Sequence, residues 1–316
     1  MSEMAGASKS ATGSGAFTRF RQSDIFVSFR SSPLAMTAAV IVLAMFIGAA
    51  FATVIAPYNP FDPAQVFLSD ASLPPRWQDG GDPRFFLGTD DQGRDMFSAI
   101  LYGLQVSLLV GGLGVALAAL IGITLGLIAG YVGGRTDALI MRIADVQLTF
   151  PAILIALLID GVVHATFKGA TREASAIPVL VVSIGLSFWV QYARTIRSST
   201  FVEKGKDYVS AARLVGLPAP VIMWRHVLPN VLGPVLIILT INLGLAVITE
   251  ATLSFLGVGL PPTEPSLGTL IAIGNQYLFS GEWWIVAFPG ATLAILVLSV
   301  NLLGDWLRDA LNPKLR

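Results

Sequence analysis

Few side chains in this 316-residue chain are equipped for chemistry. There are two histidines, His164 and His226, and no cysteine, so neither a disulfide framework nor thiol chemistry can be assembled. The distribution of apolar runs puts the histidines on opposite faces of a membrane, which makes a two-histidine metal site or a Ser-His dyad hard to build. No catalytic residue, cofactor or metal site is therefore expected. No Gly-x-x-x-x-Gly-Lys-Ser/Thr loop occurs either, and that loop is what cradles nucleotide phosphates. Two kinds of candidate remain. One is a set of polar residues inside apolar runs: Gln105, Gln191, Asn242 and Glu250. The other is the stretch "DYVSAARLVGLPAPVIMWRHVLPN", Asp207 to Asn230.

A charge at the centre of a membrane helix costs about 2.5–3.5 kcal/mol on insertion scales, so a retained one is read first as functional. Asn242 and Glu250 lie eight residues apart, about 80° of helical rotation, near enough to border one water-filled face. Passage lining by Gln105, Gln191, Asn242 and Glu250 is one expectation, and interhelical hydrogen bonding accounts for each nearly as well. A proton-driven transporter with Glu250 as carrier is a third reading.

The stretch from Asp207 reads as a short two-piece helical element. Asp207 suits the N-cap of a helix starting at Tyr208, and Gly216 suits its left-handed stop. Leu217 to Pro220 is a break, Val221 to Leu228 can resume as helix, and Pro229 fits the first turn of the next span. Small residues at Ala211, Ala212 and Gly216 allow a close approach, and Tyr208, Leu214 and Val215 surround them with apolar area. A docking knob for a partner and an amphipathic helix lying on lipid headgroups are both consistent with this pattern.

These residues must be positioned by membrane helices. The chain is 54% hydrophobic and 13% charged, with mean hydropathy +0.72, far more apolar than a soluble domain. Crossing a bilayer takes roughly 20 apolar residues, and six such runs emerge: 34–57, 99–131, 138–160, 176–196, 231–258 and 285–307. Net charge is zero, so nothing points to nucleic acid, and the distribution of basic residues carries the information. Of the 20 Lys and Arg, 15 fall on the side that holds both termini and the Asp207 stretch, and five on the other. By the positive-inside rule both termini are cytoplasmic.

Residues 1–33 read as a flexible cytoplasmic tail, and the apolar run behind them is too long for a cleaved signal peptide. Residues 34–98 comprise the first span and a loop whose six prolines, from Pro57 to Pro83, forbid one long helix. The loop reads as an irregular extracytoplasmic segment, either a solvated connector or a docking surface. Residues 99–307 form a five-helix core that contains the cytoplasmic loop 198–229, and 308–316 a cytoplasmic end. Gly114, Ala118, Gly122, Gly126 and Gly130 place a small residue at every fourth position of the second span. That groove admits a neighbouring backbone, so this span is expected inside the bundle.

The run Ser210-Ala211-Ala212, then Gly216, then His226-Val227-Leu228-Pro229 resembles the Glu-Ala-Ala…Gly…Ile-x-Leu-Pro loop of ABC-importer permeases, with Ser210 in place of the Glu and His226 in place of the Ile. "FFLGTDDQGRDMFSAILYGLQVSLLVG" (Phe85 to Gly111) is similar to the Leu-Gly-Thr-Asp…Gly-Arg-Asp signature of the dipeptide/oligopeptide C-type branch. "GYVGGRTDALIMRIADV", "TEATLSFLGVGLPPTEPSLG" and "NLLGDWLRDALNPKLR" resemble it too. Together they cover the chain from about Ser32 onward. Gln105 stands where that branch usually has a basic residue and Leu267 where it usually has a Trp, departures that bear on substrate range.

The resemblance implies an all-α membrane protein with six transmembrane helices and a cytoplasmic coupling helix, the type I importer permease fold, in a bacterial inner membrane. It implies that Tyr208, Ser210, Ala211, Ala212, Gly216, His226, Leu228 and Pro229 couple to an ATPase. The implied partners are a homologous B-type permease, two cytoplasmic ABC ATPases and an extracytoplasmic solute-binding protein. The implied cargo is a di- or oligopeptide, with nickel, haem or a modified peptide as alternatives carried by the same machinery.

Overall fold

A computed structural model describes residues 24–166, 170–258, 260 and 266–311. Among the described residues the chain is helical, with one isolated bridge between Thr89 and Asp95. The helices are α1 (Asp24–Ser31), α2 (Pro33–Ala50), α3 (Met96–Val132), α4 (Gly134–Leu148), α5 (Ala152–Thr166), α6 (Ala170–Glu203), α7 (Asp207–Leu214), α8 (Gly233–Phe255), α9 (Leu267–Tyr277) and α10 (Trp284–Leu311). Five of them, α2, α3, α6 (from Ala176), α8 and α10, are long and apolar enough to cross a membrane, and α4 with α5 makes a sixth if that pair crosses as one.

The third expected span, 138–160, is therefore not a single rod. It breaks at Thr149–Pro151, and its halves meet at 91°. Pro151 is the cause: it has no amide proton to donate, and it drives Phe150 out of helical backbone space. The N-terminal reading also changes. Residues 1–23 lie outside the described residues, but Asp24–Ser31 is helix rather than flexible tail. Phe29 sets its ring edge-on to Trp306 of α10 at 5.0 Å, so α1 is tied to the last span. Ser32 then caps α2, its hydroxyl accepting from the Ala35 amide at 3.3 Å.

The small-residue ladder of the second span organises the core. Along α3, Gly114, Gly122, Gly126 and Gly130 face Ile184, Trp189, Ala193 and Arg197 of α6, so closely that an added Cβ on any of them would collide with backbone or side chain. Ala118 on the same face is fully buried. Apolar burial gains little between helices that already sit in lipid, and this backbone approach supplies van der Waals contact instead.

The 57–95 segment folds as a cap at the N-terminal end of α3. Arg94 Nε pairs with Asp90 Oδ2 at 2.6 Å in the interior of the cap, and Asp90 Oδ1 accepts from the amides of Gln92 and Arg94, both at 2.9 Å. Asp95 caps α3 through Ser98, whose amide and hydroxyl donate to Oδ2 at 2.9 and 2.6 Å. Burial raises the Asp95 carboxyl above the usual carboxylate range. The Gly-Arg-Asp signature thus builds the cap.

One element went unexpected. The helix α9 has eleven residues, too few to span, and so it left no trace in a search for long apolar runs. Ser266 and Thr269 form its capping box. Gly268 packs on Ala251 of α8 and Gly274 on Ile285 of α10, which wedges α9 between the last two spans below the cap.

Candidate functional site

The short helix α7 follows α6 after a three-residue turn and stands at the opposite end of α3 from the cap. Its N-cap is Lys206, with extended backbone and no side-chain cap hydrogen bond. Asp207, expected as the cap, is the first helical residue; a carboxylate there still favours the positive end of the helix dipole. The other end is as the sequence suggests. Gly216 has φ +83, its amide donates to the Arg213 carbonyl at 3.0 Å, and the Leu217 amide donates to the Ala212 carbonyl at 3.1 Å, a Schellman closure.

Beyond the break, helix resumes at Ala219, two residues earlier than expected, and it is not plain α-helix. Ile222–Val227 is wound as π-helix, ending with the Leu228 amide bonded to the Met223 carbonyl. Pro229 belongs to the short turn Leu228–Val231, and the span α8 starts separately at Gly233 with its own Pro234. Because Pro229 lacks an amide proton, the regular i→i+4 ladder cannot continue through this point.

The element has an inner and an outer face. Val209 and Ala212 are buried in the main apolar cluster with Ile222, Met223 and Val227, and Tyr208 and Leu228 pack against its edge. Ser210, Ala211, Gly216 and Pro229 are exposed and His226 half-buried. At the tip Leu214 and Val215 are 89% and 80% exposed. A Cβ on Gly216 would meet nothing within 4 Å. The expected set therefore divides: Ser210, Ala211, Gly216 and Pro229 lie on the outer surface, and Ala212 faces inward.

The base of this prong is held by polar bonds that the sequence reading missed. Lys204 Nζ donates to the Gly130 carbonyl of α3 at 2.8 Å, and Arg213 reaches Tyr131, with Nε 3.3 Å from the hydroxyl. The Tyr208 hydroxyl donates to Glu203 Oε1 at 2.9 Å and accepts from Asn230 Nδ2 at 3.1 Å. Asn230 Nδ2 also donates to the His226 carbonyl at 2.8 Å. Lys206 Nζ lies 2.8 Å from Glu203 Oε2. Burial, with the Glu203 carboxylate second, raises the Tyr208 phenol above its ordinary value. Between α4 and α6, Arg197 Nη2 donates to Asp137 Oδ2 at 2.6 Å.

The four polar residues of the spans do not share one surface. Gln191 is exposed and Gln105 half-buried, and Asn242 and Glu250 are fully buried in the bundle. Glu250 Oε1 accepts from the Ser254 hydroxyl at 2.8 Å, with Ser107 of α3 and Ser266 at the start of α9 beside it. Asn242 faces the buried Tyr192 hydroxyl of α6 without a hydrogen bond of regular geometry. Among the described residues no group of three or more His, Cys, Asp or Glu is placed to hold a metal ion, and the side chain of His164 lies outside the described residues.

Two family models match this chain. Residues 122–316 match the binding-protein-dependent transport system inner membrane component, and residues 18–75 match the N-terminal TM domain of oligopeptide transport permease C. Among curated proteins, the dipeptide transport system permease protein DppC of Haemophilus influenzae is 38% identical over 84% of this chain and 87% of its own length. The DppC of Escherichia coli is 39% identical over 87% of each, and the di/tripeptide transport system permease protein DppC of Pseudomonas aeruginosa 38% over 84% of each. In fold, the chain is similar to a chain of the MetNI methionine ABC transporter, with TM-score 0.54 and 18% identity over 69% of this chain and 98% of that one.

Proposed function

The chain belongs to the family of binding-protein-dependent transport system inner membrane components, and from that premise we propose that it is the C-type permease subunit of an ATP-driven importer of di- and oligopeptides. It forms one half of the passage, and a homologous B-type permease forms the other. Two cytoplasmic ABC ATPases supply the energy, and an extracytoplasmic solute-binding protein delivers the peptide. Both termini and the α7 prong face the cytoplasm, the side to which the basic residues assign them.

The observation that carries this reading is the tip of α7. Two branched apolar side chains stand almost wholly exposed on a helix whose inner face is buried and whose base is bonded to α3 and α6. A rigid apolar knob of this kind is a contact for another protein. When the ATPases close on nucleotide, they displace the prong, and because packed helices move as units, α6 and α8 swing with it. Gln191 and Gln105 line the passage at the chain's surface. Asn242 and Glu250 join it only when α8 turns away from its neighbours.

The test is peptide uptake by proteoliposomes that contain this chain, the B-type permease and both ATPases, with the solute-binding protein and peptide supplied on the extracytoplasmic side. Uptake that requires ATP and all four subunits is expected. Uptake by this chain alone, or uptake indifferent to ATP, would overturn the proposal.

A further inference from the structure

We propose that Tyr208 is a positioning residue for transport, its hydroxyl being the joint that carries displacement of the α7 prong to α8. This rests on the transport reading and adds to it the specific route of the force. Covalently, the prong reaches α8 only through the Gly216 stop, the Leu217–Pro218 break and the π-wound Ile222–Val227. That path is soft: it holds a left-handed glycine and a section whose ladder is interrupted at Pro229. A push on the tip would be absorbed there before it reached the span.

The Tyr208 oxygen bypasses the soft section. It donates to Glu203, the last residue of α6, at 2.9 Å, with the His226 carbonyl a longer second acceptor at 3.4 Å, and accepts from Asn230, in the turn ahead of α8, at 3.1 Å. One atom on the prong thus joins the end of one span to the turn that leads into the next. Both of its partners are held in place. Glu203 is 7% exposed and bracketed by Lys206, and Asn230 is anchored to the His226 carbonyl at 2.8 Å. The surrounding apolar contacts of Val209 and Ala212 are non-directional, whereas a hydrogen bond weakens steeply with misalignment. The prong is seated by its apolar face and made to transmit by its polar one.

The experiment uses the full transporter in proteoliposomes and reads peptides imported per ATP hydrolysed. Asn230→Ala removes the α8 side of the joint without touching the prong's outer face. It should leave ATPase co-purification at the native level and lower the ratio by about three- to tenfold, the range expected for loss of one hydrogen bond. Tyr208→Phe keeps the ring and should lower the ratio similarly, and the double variant should be no worse than either single one, since both cut the same link. A native ratio in Asn230→Ala, or independent losses that multiply in the double variant, overturns the proposal. If Tyr208→Phe does not assemble, the ratios of Asn230→Ala and Asn230→Leu decide. Failure of the transport reading itself looks different: the native assembly would then import nothing or need no ATP.

Discussion

The indole Nε1 of Trp284 donates to the backbone carbonyl of Thr89 at 3.0 Å, across 195 positions of sequence, and so fastens the cap to the first turn of the last span. Two further bonds support it, from the Ser72 hydroxyl to Glu282 at 2.8 Å and from the Tyr277 hydroxyl to Asp91 at 3.3 Å, but only the indole is buried, at 6% exposure. Replacing Trp284 by Phe leaves the Thr89 carbonyl buried and unpaired, at a cost of about 1–3 kcal/mol. Faster protease cleavage within 57–95 and a lower melting temperature in detergent are expected. Trp283→Phe, at a half-exposed neighbour, is the control and should change neither.

The same cap carries a pH dependence with a definite sign. Burial holds the Asp95 carboxyl above its unfolded value, outweighing the Ser98 hydrogen bonds. The folded state therefore binds a proton more tightly than the unfolded one. This contribution to stability is complete in acid below the unfolded value and is lost as pH rises through the raised folded value. Asp95→Asn keeps an acceptor for the Ser98 amide and removes the titration. The melting temperature of Asp95→Asn relative to native should thus climb between acidic and neutral pH; a flat or falling difference would show that Asp95 is not held protonated by its site.

The small-residue ladder of α3 was readable because its cause is local: a small residue every fourth position is a groove whatever lies in it. The partner was not readable. That α6 fills the groove depends on pairing between distant segments, for which the sequence has no local mark. The break at Pro151 had a local mark, but it is outweighed in any hydropathy window by the apolar residues on both sides. The helix α9 fell below the length a span needs. The prong's outline was legible from Gly216 and the prolines, whereas its fastening by Glu203 and Asn230 was not, since each is an ordinary polar residue until Tyr208 is placed between them.

That groove supports a graded prediction. At Gly126 a side chain would strike the Ala193 backbone, and at Gly112, on the same helix, a Cβ would meet nothing within 4 Å. Gly126→Leu should cost about 3 kcal/mol, the upper end of the overpacking range, since backbone cannot step aside as a side chain can, and should abolish assembly. Gly112→Ala should be neutral or stabilise by about 0.5–1 kcal/mol through helix propensity. Thermal unfolding of the two variants in one detergent checks both.

Glu250 separates structural support from proton carriage. Its carboxyl sits among Ser107, Ser254 and Ser266, side chains of three different packing elements. Glu250→Gln retains the shape and an acceptor and should preserve ATP-driven uptake to within severalfold. Glu250→Leu leaves those hydroxyls without it and should destabilise the α3–α8–α9 junction by about 1–3 kcal/mol. Loss of uptake in Glu250→Gln with an intact fold would revive the proton-carrier alternative.

The coupling surface is best tested at the tip. Bulky residues at Ala212 would confuse two effects, because Ala212 is 8% exposed and belongs to the core, and any side chain at Gly216 is strained by its φ of +83. Leu214 and Val215 have neither defect: at 89% and 80% exposure they contribute almost nothing to this chain's own fold. Leu214→Asp and Val215→Asp should therefore leave its melting temperature unchanged. If these side chains enter a pocket on the ATPase, each is an anchor whose loss costs at least about 2 kcal/mol, roughly thirtyfold in affinity. Titration of purified ATPase subunits onto the permease pair reads this directly. Native affinity in both variants would mean that the ATPases grip the permease elsewhere, and that the exposed tip meets lipid or another chain.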